Sequence, residues 1–203
     1  MRKTLRILGL TLALLCAPLA QAADLNSVNV TERAKLQRVP GFPVPHDPRQ
    51  IFYLQRSSNL NTVVYVLRFD DDGRLNHRAP VLPYWRRYSD GGPGRGKAKA
   101  LDFWANIAYG IRARPDNATP GIYHLSLKRL PQYEVTLRQT GPNQADLTVT
   151  LGGRRATPVY AYAKIDESGL IPKVTSIEIH GIEIATGRAI TETFAVQGGE
   201  IRK

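Results

Sequence analysis

The sequence predicts a mostly β fold, an antiparallel β-barrel or sandwich of about nine strands with one short helix. Three observations lead to this prediction. Apolar and polar residues alternate in several short runs, which is the period of a strand with one buried face. Turn-forming residues separate these runs at short intervals, as they do in antiparallel sheets. One stretch shows the three- and four-residue spacing of an amphipathic helix.

Strand-like sequence begins at Ile51. Residues 62–69 are mainly β-branched and aromatic, and these residue types are enriched in strands. Residues 70–73, with the sequence Asp-Asp-Asp-Gly, follow them. They predict a turn, because Asp and Gly tolerate the backbone conformations that turns require.

The clearest pattern lies in the middle of the chain. Apolar residues occupy alternate positions in 133–138 and again in 146–151. Residues 140–144, which include Gly, Pro and Asn, separate the two runs. This arrangement predicts a β-hairpin with one buried and one solvent-facing side. Residues 123–127 predict a similar strand before the hairpin, and residues 159–165 predict another after it.

The alternation changes phase near the C-terminus. Ile177 and Ile179 set one phase, and Ile182 and Ile184 set the opposite one. The change falls at residues 180–181, where His is followed by Gly. One extra residue shifts a period of two, and glycine is common at such places. A β-bulge is therefore predicted at residues 180–181.

The single predicted helix lies between residues 101 and 110. Leu101, Trp104, Ile107 and Ala108 are three or four residues apart, so they fall on one helical face. Gly110 is a suitable residue to follow the last helical turn.

The first 22 residues have the features of a cleaved signal peptide. A basic start precedes a short apolar run, and Ala20-Gln21-Ala22 supplies a small-x-small cleavage site. The run is shorter than the roughly 20 residues that a membrane-spanning helix needs. We expect cleavage before Ala23 and a periplasmic or secreted protein. The alternatives are an uncleaved anchor and lipidation of Cys16, although Cys16 follows Leu15 rather than a small residue.

Residues 23–203 form the expected mature chain, in which residues 23–50 are an irregular, proline-rich lead-in and residues 51–203 a single mostly β domain. The only cysteine of the full sequence, Cys16, is lost with the signal, so the mature chain has none. Removal of three of the 28 Lys and Arg leaves 25 against 17 Asp and Glu, so the formal net charge falls from +11 to +8. No later apolar stretch is long enough to cross a membrane.

The positive charge bears on the choice of partner. In an exported protein it favours an anionic envelope component, such as a lipid head group, lipopolysaccharide or a wall polymer, over nucleic acid. A small amphipathic ligand in a β-barrel mouth is the other partner expected. The alternative is that the positive charge only aids solubility and binds no partner.

Several motifs resemble an uncharacterised bacterial exported family, domain of unknown function 4833. The resemblance begins with Phe-Tyr-Leu-Gln-Arg-Ser at 52–57 and Asn-x-Asn-Thr-Val-Val-Tyr at 59–65. Tyr84-Trp85, Ala-Tyr-Gly at 108–110 and Gly-Ile-Glu at 181–183 with Thr186-Gly187 continue it. The resemblance covers roughly residues 51–190 and implies no catalytic residue, because the family has no known function.

A basic, glycine-rich stretch is the first candidate binding site. Residues 91–98 nearly spell a phosphate-binding loop, but Ala98 stands where that loop has the magnesium-binding hydroxyl, which argues against nucleotide hydrolysis. Backbone N–H groups and nearby cations remain suited to an anion. The predicted anion-binding residues are Gly94, Arg95, Gly96, Lys97 and Lys99. A solvated connection is the alternative.

A second candidate ligand site combines amides, an aromatic ring and guanidinium groups. Alternation places Tyr84 and Arg86 on one strand face and Trp85 and Arg87 on the other. Arginine stacked on an aromatic ring suits a sugar or an anionic head group. The alternatives are amides that cap a turn and an aromatic residue in the core. The predicted ligand-binding residues are Asn59, Asn61, Trp85, Arg86 and Arg87.

No pattern predicts catalysis, a metal site or a cofactor. The four His residues are far apart in the sequence, and no nucleophile-elbow motif occurs. The leading hypothesis is therefore a non-enzymatic β domain of the cell envelope that binds a ligand or partner. A hydrolase of an envelope polymer and an assembly factor that pairs through an edge strand are the alternatives.

Overall fold

The computed structural model describes residues 39–88, 96–128, 130–169, 173–197 and 200–202. Twelve strands and one short helix make up this part of the chain. In chain order they are β1 (Gln50–Arg56), β2 (Asn59–Leu67), β3 (Val81–Arg87), β4 (Lys97–Ala100), α1 (Phe103–Tyr109), β5 (Ile111–Pro115), β6 (Ile122–Leu127), β7 (Leu130–Gly141), β8 (Gln144–Leu151), β9 (Arg154–Asp166), β10 (Lys173–Glu183), β11 (Ala189–Gln197) and β12 (Glu200–Arg202).

All twelve strands belong to one sheet, and β9 is its centre. β10 pairs with β9 along one edge, from Ala156 to Asp166. On the other edge, Arg154–Ala156 pair with β8 and Tyr160–Ala163 pair with β1. The sheet therefore forks along this edge of β9. One arm, the first wing, runs through β1, β2, β3 and β4, and the other, the second wing, runs through β8, β7, β6 and β5.

Among the described residues, the mostly β class and one short helix are confirmed, but the architecture differs from the prediction. The sheet is mixed, because β1 and β9 run parallel. It is not closed into a barrel, since no ladder among the described residues joins β4 to β5. A sandwich is not confirmed either, because one continuous sheet carries every strand. Twelve strands are present among the described residues rather than about nine, and the three shortest, β4, β5 and β12, have five residues or fewer.

The main core lies where the inner faces of the two wings meet. Val63 and Tyr65 of β2 belong to the same apolar cluster as Leu125 of β6, Leu137 of β7 and Ala161 of β9. The alternating residues of the predicted hairpin supply part of this core, and the hairpin is present as β7 and β8. Burial of these side chains stabilises the fork by holding both wings against β9.

A smaller cluster covers the opposite face of β9. The rings of Tyr53 and Tyr160 stack with their centroids 5.4 Å apart, and His180 stacks on Tyr160 at 4.2 Å. Residues 39–49, which form neither helix nor strand, lie over this face. Phe42 packs edge-on against Tyr162 at 5.8 Å.

The phase change at residues 180–181 has a different cause from the one predicted. The ladder between β10 and β11 continues without a register shift through His180 and Gly181. The extra residue is Val159 on the neighbouring strand, because His180 pairs with Tyr160 and Gly181 pairs with Pro158. Ile179 packs towards the main core and Ile182 towards the smaller cluster. The phase therefore changes because β10 buries apolar side chains on both faces.

Helix α1 begins at Phe103, two residues later than Leu101, and the face that it buries differs from the predicted one. Its buried residue is Ala105, while Trp104, predicted on the apolar face, is 76% exposed. The Asp102 carboxylate accepts a hydrogen bond from the Ala105 N–H at 2.8 Å and caps the first turn. Gly110 follows the last turn with φ −62°, outside the left-handed region.

Candidate functional site

The side chains of the two predicted asparagines form hydrogen bonds within the first wing. Asn59 Oδ1 accepts hydrogen bonds from the Asn61 N–H and from Arg56 Nη2, both at 3.0 Å. Asn61 Oδ1 accepts the Tyr88 N–H at 3.0 Å, just beyond the end of β3. Both side chains therefore fix the backbone at the β1–β2 turn and beside β3, and their role in ligand binding stays a prediction.

Trp85 faces the inner side of the first wing, where Arg56 lies against it. The Arg56 guanidinium carbon is 4.7 Å from the centre of the Trp85 ring and 5.3 Å from that of Tyr109. Arg56 Nη1 also donates to the Tyr109 hydroxyl at 3.0 Å. The two rings and Arg56 form a cation–π cluster that joins the sheet to the end of α1.

Arg86 belongs to a second contact, on the outer face. It lies over the Tyr84 ring, and its Nη2 donates to the Tyr84 hydroxyl at 2.9 Å. That hydroxyl donates to Asp47 at 2.8 Å. Burial, and after it the hydrogen bond to Asp47, raises the pKa of Tyr84 to about 12. Arg87 lies opposite Lys97 in the ladder between β3 and β4.

The predicted basic loop is only partly within the described residues, and Gly94 and Arg95 lie outside them. Gly96 has φ +58°, and a Cβ there would lie 3.0 Å from Tyr88 Cδ1. The structure therefore favours glycine at position 96, because the backbone is left-handed there and a side chain would crowd the packed Tyr88 ring. Lys97 and Lys99 lie on β4 with exposed side chains.

A cleft opens where the sheet forks, and we call it the fork cleft. Its volume is about 350 Å³, within the range of small-molecule sites. It lies between the start of β1, the start of β9 and the β7–β8 hairpin. The residues that line it are Pro48, Arg49, Gln50, Ile51, Leu67, Arg138, Thr140, Asn143, Gln144, Ala145, Asp146, Leu147, Thr148, Arg155, Thr157 and Ile184.

The backbone explains why the cleft forms at this point of β9. Pro158 has no N–H group and cannot donate to a ladder, and Val159 is the extra residue opposite β10. β8 pairs with β9 only before these residues, and β1 pairs with it only after them. The two strands therefore diverge on either side of Pro158 and leave space between them.

Charge in the fork cleft is strongly positive. Arg49, Arg138 and Arg155 line it with exposed side chains, and Asp146 is the one carboxylate among the lining residues. Arg138 lies opposite Asp146 in the β7–β8 ladder. Within the described part of the chain, no carboxylate lies within 4.0 Å of these three guanidinium groups. The arginines are therefore available to an anion.

The interior of the cleft is partly apolar. The side chains of Ile51, Leu67 and Leu147 are buried beneath the arginines. Gln50 Oε1 is buried at the cleft wall without a hydrogen-bond partner among the described residues. A buried acceptor without a partner is costly, so a ligand that donates to it, or a water molecule, would stabilise the site.

A second cavity lies inside the core between the wings. Phe52, Leu125, Tyr133 and Ile177 are among its apolar lining residues. Its volume of about 50 Å³ is far below that of small-molecule sites. The fork cleft is therefore the better candidate for ligand binding.

Two histidines have charged neighbours away from the cleft. His124 Nδ1 lies 2.8 Å from Glu134, and its Nε2 lies 3.2 Å from Asp116. His180 Nε2 is 3.5 Å from Glu178, too poorly aligned for a hydrogen bond, and burial lowers the His180 pKa. Across the described ranges, no three His, Cys, Asp or Glu side chains converge on a metal-sized site.

The sequence did not reveal the cationic cleft, although it contains a signal for part of it. Arg138 and Arg155 occupy polar positions of strands in and next to the predicted hairpin. Cations on one face of the hairpin and of the strand that follows it would have identified these two residues as candidates. Arg49 lies more than 80 residues earlier in the chain, and only the parallel pairing of β1 with β9 brings it close.

No helix among the described residues is long and apolar enough to cross a membrane. Neither the curated proteins nor the solved structures include one that matches the chain. A family model described as a domain of unknown function, DUF4833, matches residues 52–193. This range spans well over half of the 203 residues and includes β1 to β10 from Phe52 onward. The chain therefore belongs to the DUF4833 family.

Proposed function

We propose that this protein is exported to the cell envelope and binds a small anionic amphiphile in the fork cleft without catalysing a reaction. The observation that carries the proposal is the meeting of Arg49, Arg138 and Arg155 around a cavity of about 350 Å³. Guanidinium groups stay charged at physiological pH and bind carboxylates and phosphates through paired hydrogen bonds. Their convergence, with Asp146 as the one carboxylate among the described lining residues, favours an anionic ligand.

The apolar interior favours a ligand that also has a hydrocarbon part. Ile51, Leu67 and Leu147 offer apolar contacts below the arginines. A short acyl chain or ring would displace water from them, and its acidic group would remain beside the guanidinium groups. This division of the cleft supports an amphiphile over inorganic phosphate.

The cleft has few groups that can move a proton. General acid–base catalysis needs a side chain that gains or loses a proton in the working pH range. Among the described residues that line the cleft, Asp146 is the one titratable side chain besides the arginines. Arginine does not lose its proton in proteins, so it binds but does not act as a base. These residues support a binding role over hydrolysis.

Export is supported by the basic start, the short apolar run and Ala20-Gln21-Ala22. We expect osmotic shock to release the protein, and N-terminal sequencing to find Ala23 first. A chain that still begins with Met1, or one that carries a lipid on Cys16, would contradict this part of the proposal.

Binding is tested with a dansyl-labelled fatty acid and its uncharged methyl ester, followed by fluorescence titration. The acid should bind the parent protein, and Arg138→Ala or Arg155→Ala should weaken that binding at least tenfold. This estimate follows from the roughly 1.5–3 kcal/mol of a hydrogen bond to a charged group. The ester should bind the parent and both variants with similar, low affinity.

The control is Arg112→Ala on β5, which removes an exposed arginine outside the cleft. It should leave the affinity for the acid unchanged to within about twofold. Equal binding of acid and ester, or an equal loss in the Arg112 variant, would contradict the proposal. Native mass spectrometry of the protein from the envelope should then be used to identify a ligand of another class.

A further inference from the structure

Phe103 and Trp104 form an apolar projection on helix α1. Their side chains are 72% and 76% exposed, whereas the other exposed large hydrophobic residues, Val44, Leu60 and Leu82, are 42–45% exposed. The two rings pack edge-on with their centroids 5.3 Å apart, so they form one continuous surface. Two neighbouring aromatic rings held in water lose the stabilisation that burial would provide.

The fold holds this projection in place. Asp102 caps the start of α1, and at its end the Gly110 N–H donates to Asn106 O at 3.0 Å. The Gly110 carbonyl accepts the Lys128 N–H at 2.9 Å, which joins the helix to the end of β6. Because Ala105 and Tyr109 face the protein, Phe103 and Trp104 must face outward.

Cations flank the aromatic pair on both sides along the chain. Lys97 and Lys99 are exposed on β4, and four residues of chain keep Lys99 within about 14 Å of Phe103. Lys128 lies beside Gly110. Arg112, two residues after Gly110, has an exposed side chain. The carboxylate of Asp102 caps the helix and is one negative charge against these four cations. The surface therefore combines an apolar tip with a positive surround.

We propose that this surface docks on an anionic lipid bilayer, with Phe103 and Trp104 inserted among the head groups and Lys97 and Lys99 beside lipid phosphates. Tryptophan favours the interface between water and hydrocarbon, and basic residues next to it are attracted to anionic lipids. The positive surround argues for a lipid surface over a second copy of this chain, because two such surfaces repel each other. The proposal is independent of ligand binding in the fork cleft.

The test uses a Trp85→Phe background, in which Trp104 is the sole tryptophan. Vesicles of phosphatidylcholine mixed with phosphatidylglycerol should shift its emission to shorter wavelength, and brominated lipid should quench it. Phosphatidylcholine alone should give neither effect. Raising the salt from about 0.1 M to about 1 M should weaken binding, since the Debye length falls from about 10 Å to about 3 Å.

Two double variants of the otherwise unchanged protein separate the contributions in vesicle co-sedimentation. Phe103→Ser with Trp104→Ser should lower the partition coefficient at least tenfold. Lys97→Gln with Lys99→Gln should lower it about twenty-five-fold, at about fivefold per lysine. The charge-matched control is Arg68→Gln with Arg78→Gln, at the far end of β3, and the apolar control is Leu82→Ser. Both controls should stay within about twofold of the parent.

Circular dichroism should show that the two double variants and their controls keep the parent fold, because the side chains changed in them are exposed. Absence of binding to anionic vesicles, or equal loss in the variants and their controls, would overturn the proposal. So would a parent dimer that the Phe103 and Trp104 variant converts to monomer, because this surface would then join two copies of the chain.

Discussion

The arginines of the first wing and the arginines of the fork cleft have opposite surroundings. In the first wing, Arg56 lies against two aromatic rings and donates to a tyrosine hydroxyl. Arg86 has a similar arrangement with Tyr84. In the fork cleft, no carboxylate among the described residues lies within 4.0 Å of a guanidinium group, and the charges surround a cavity.

The two groups of arginines also differ in how their neighbours come together in the fold. Arg86 is two residues from Tyr84, and Arg56 lies on the strand next but one to Trp85. These rings, together with Tyr109, stabilise the arginines and the sheet. The cleft arginines come from β7, β9 and the residue before β1, and they meet only because the sheet forks. The first group stabilises the fold, and the second is the group that we propose binds the ligand.

Changing the fork itself should have the largest effect. A Cβ at Gly181 would lie 2.7 Å from the Thr157 carbonyl oxygen and 3.0 Å from Leu151 Cδ1. The carbonyl belongs to the backbone of β9 and cannot rotate away, so Gly181→Ala must displace the strand. We expect the free energy of unfolding in urea to fall by about 3 kcal/mol, the upper part of the range for overpacking. The cleft should lose affinity for the dansyl-labelled acid, because Thr157 lines it.

The control for that prediction is Gly141→Ala. The nearest atom to a Cβ at Gly141 is Gln144 Oε1 at 3.4 Å, an ordinary contact. Its φ is also outside the left-handed region, so this variant should unfold within about 0.5 kcal/mol of the parent. Equal stability of the two variants would show that β9 can shift freely and that the fork is not fixed at Pro158.

These residues also show what the sequence predicts and what it does not. The β7–β8 hairpin could be predicted, because its alternating residues and its turn are local. The fork could not, because it depends on a parallel pairing between strands about 100 residues apart. The buried side of α1 was predicted wrongly at Trp104, since a seven-residue helix gives too few positions to fix one face. The cleft arginines were missed for the same reason as the fork.

Removing Arg56 should have the next largest effect and should leave the cleft intact. Arg56→Ala loses two cation–π contacts and the hydrogen bonds to Tyr109 and Asn59. We expect a loss of about 2 kcal/mol in urea unfolding, with unchanged affinity for the dansyl-labelled acid. Arg155→Ala is the matched comparison, with less than about 0.5 kcal/mol lost and weaker binding. A reversal of the two results would remove the distinction between structural and binding arginines.

His124 extends the comparison to the second wing, where it should give the smallest effect. Asp116 and Glu134 lie against its two ring nitrogens, and both nitrogens can donate only when the ring is protonated. The hydrogen bond to Asp116 first, and that to Glu134 after it, raise the pKa of His124, against a weaker lowering by burial and by Arg114. The His124 side chain is 27% exposed, so solvent screens the contact.

A pKa that is higher in the folded state fixes the direction of the pH effect. The stabilisation is fully present below the ordinary histidine pKa of about 6.5 and is lost as the pH rises through the folded value. We expect the stability difference between the parent and His124→Gln to fall, by less than about 1 kcal/mol, between about pH 5 and about pH 8. Urea unfolding at each pH measures this difference. A difference that grows with pH would mean that the carboxylates hold the neutral ring, and that His124, unlike Arg56, is not stabilised through its charge.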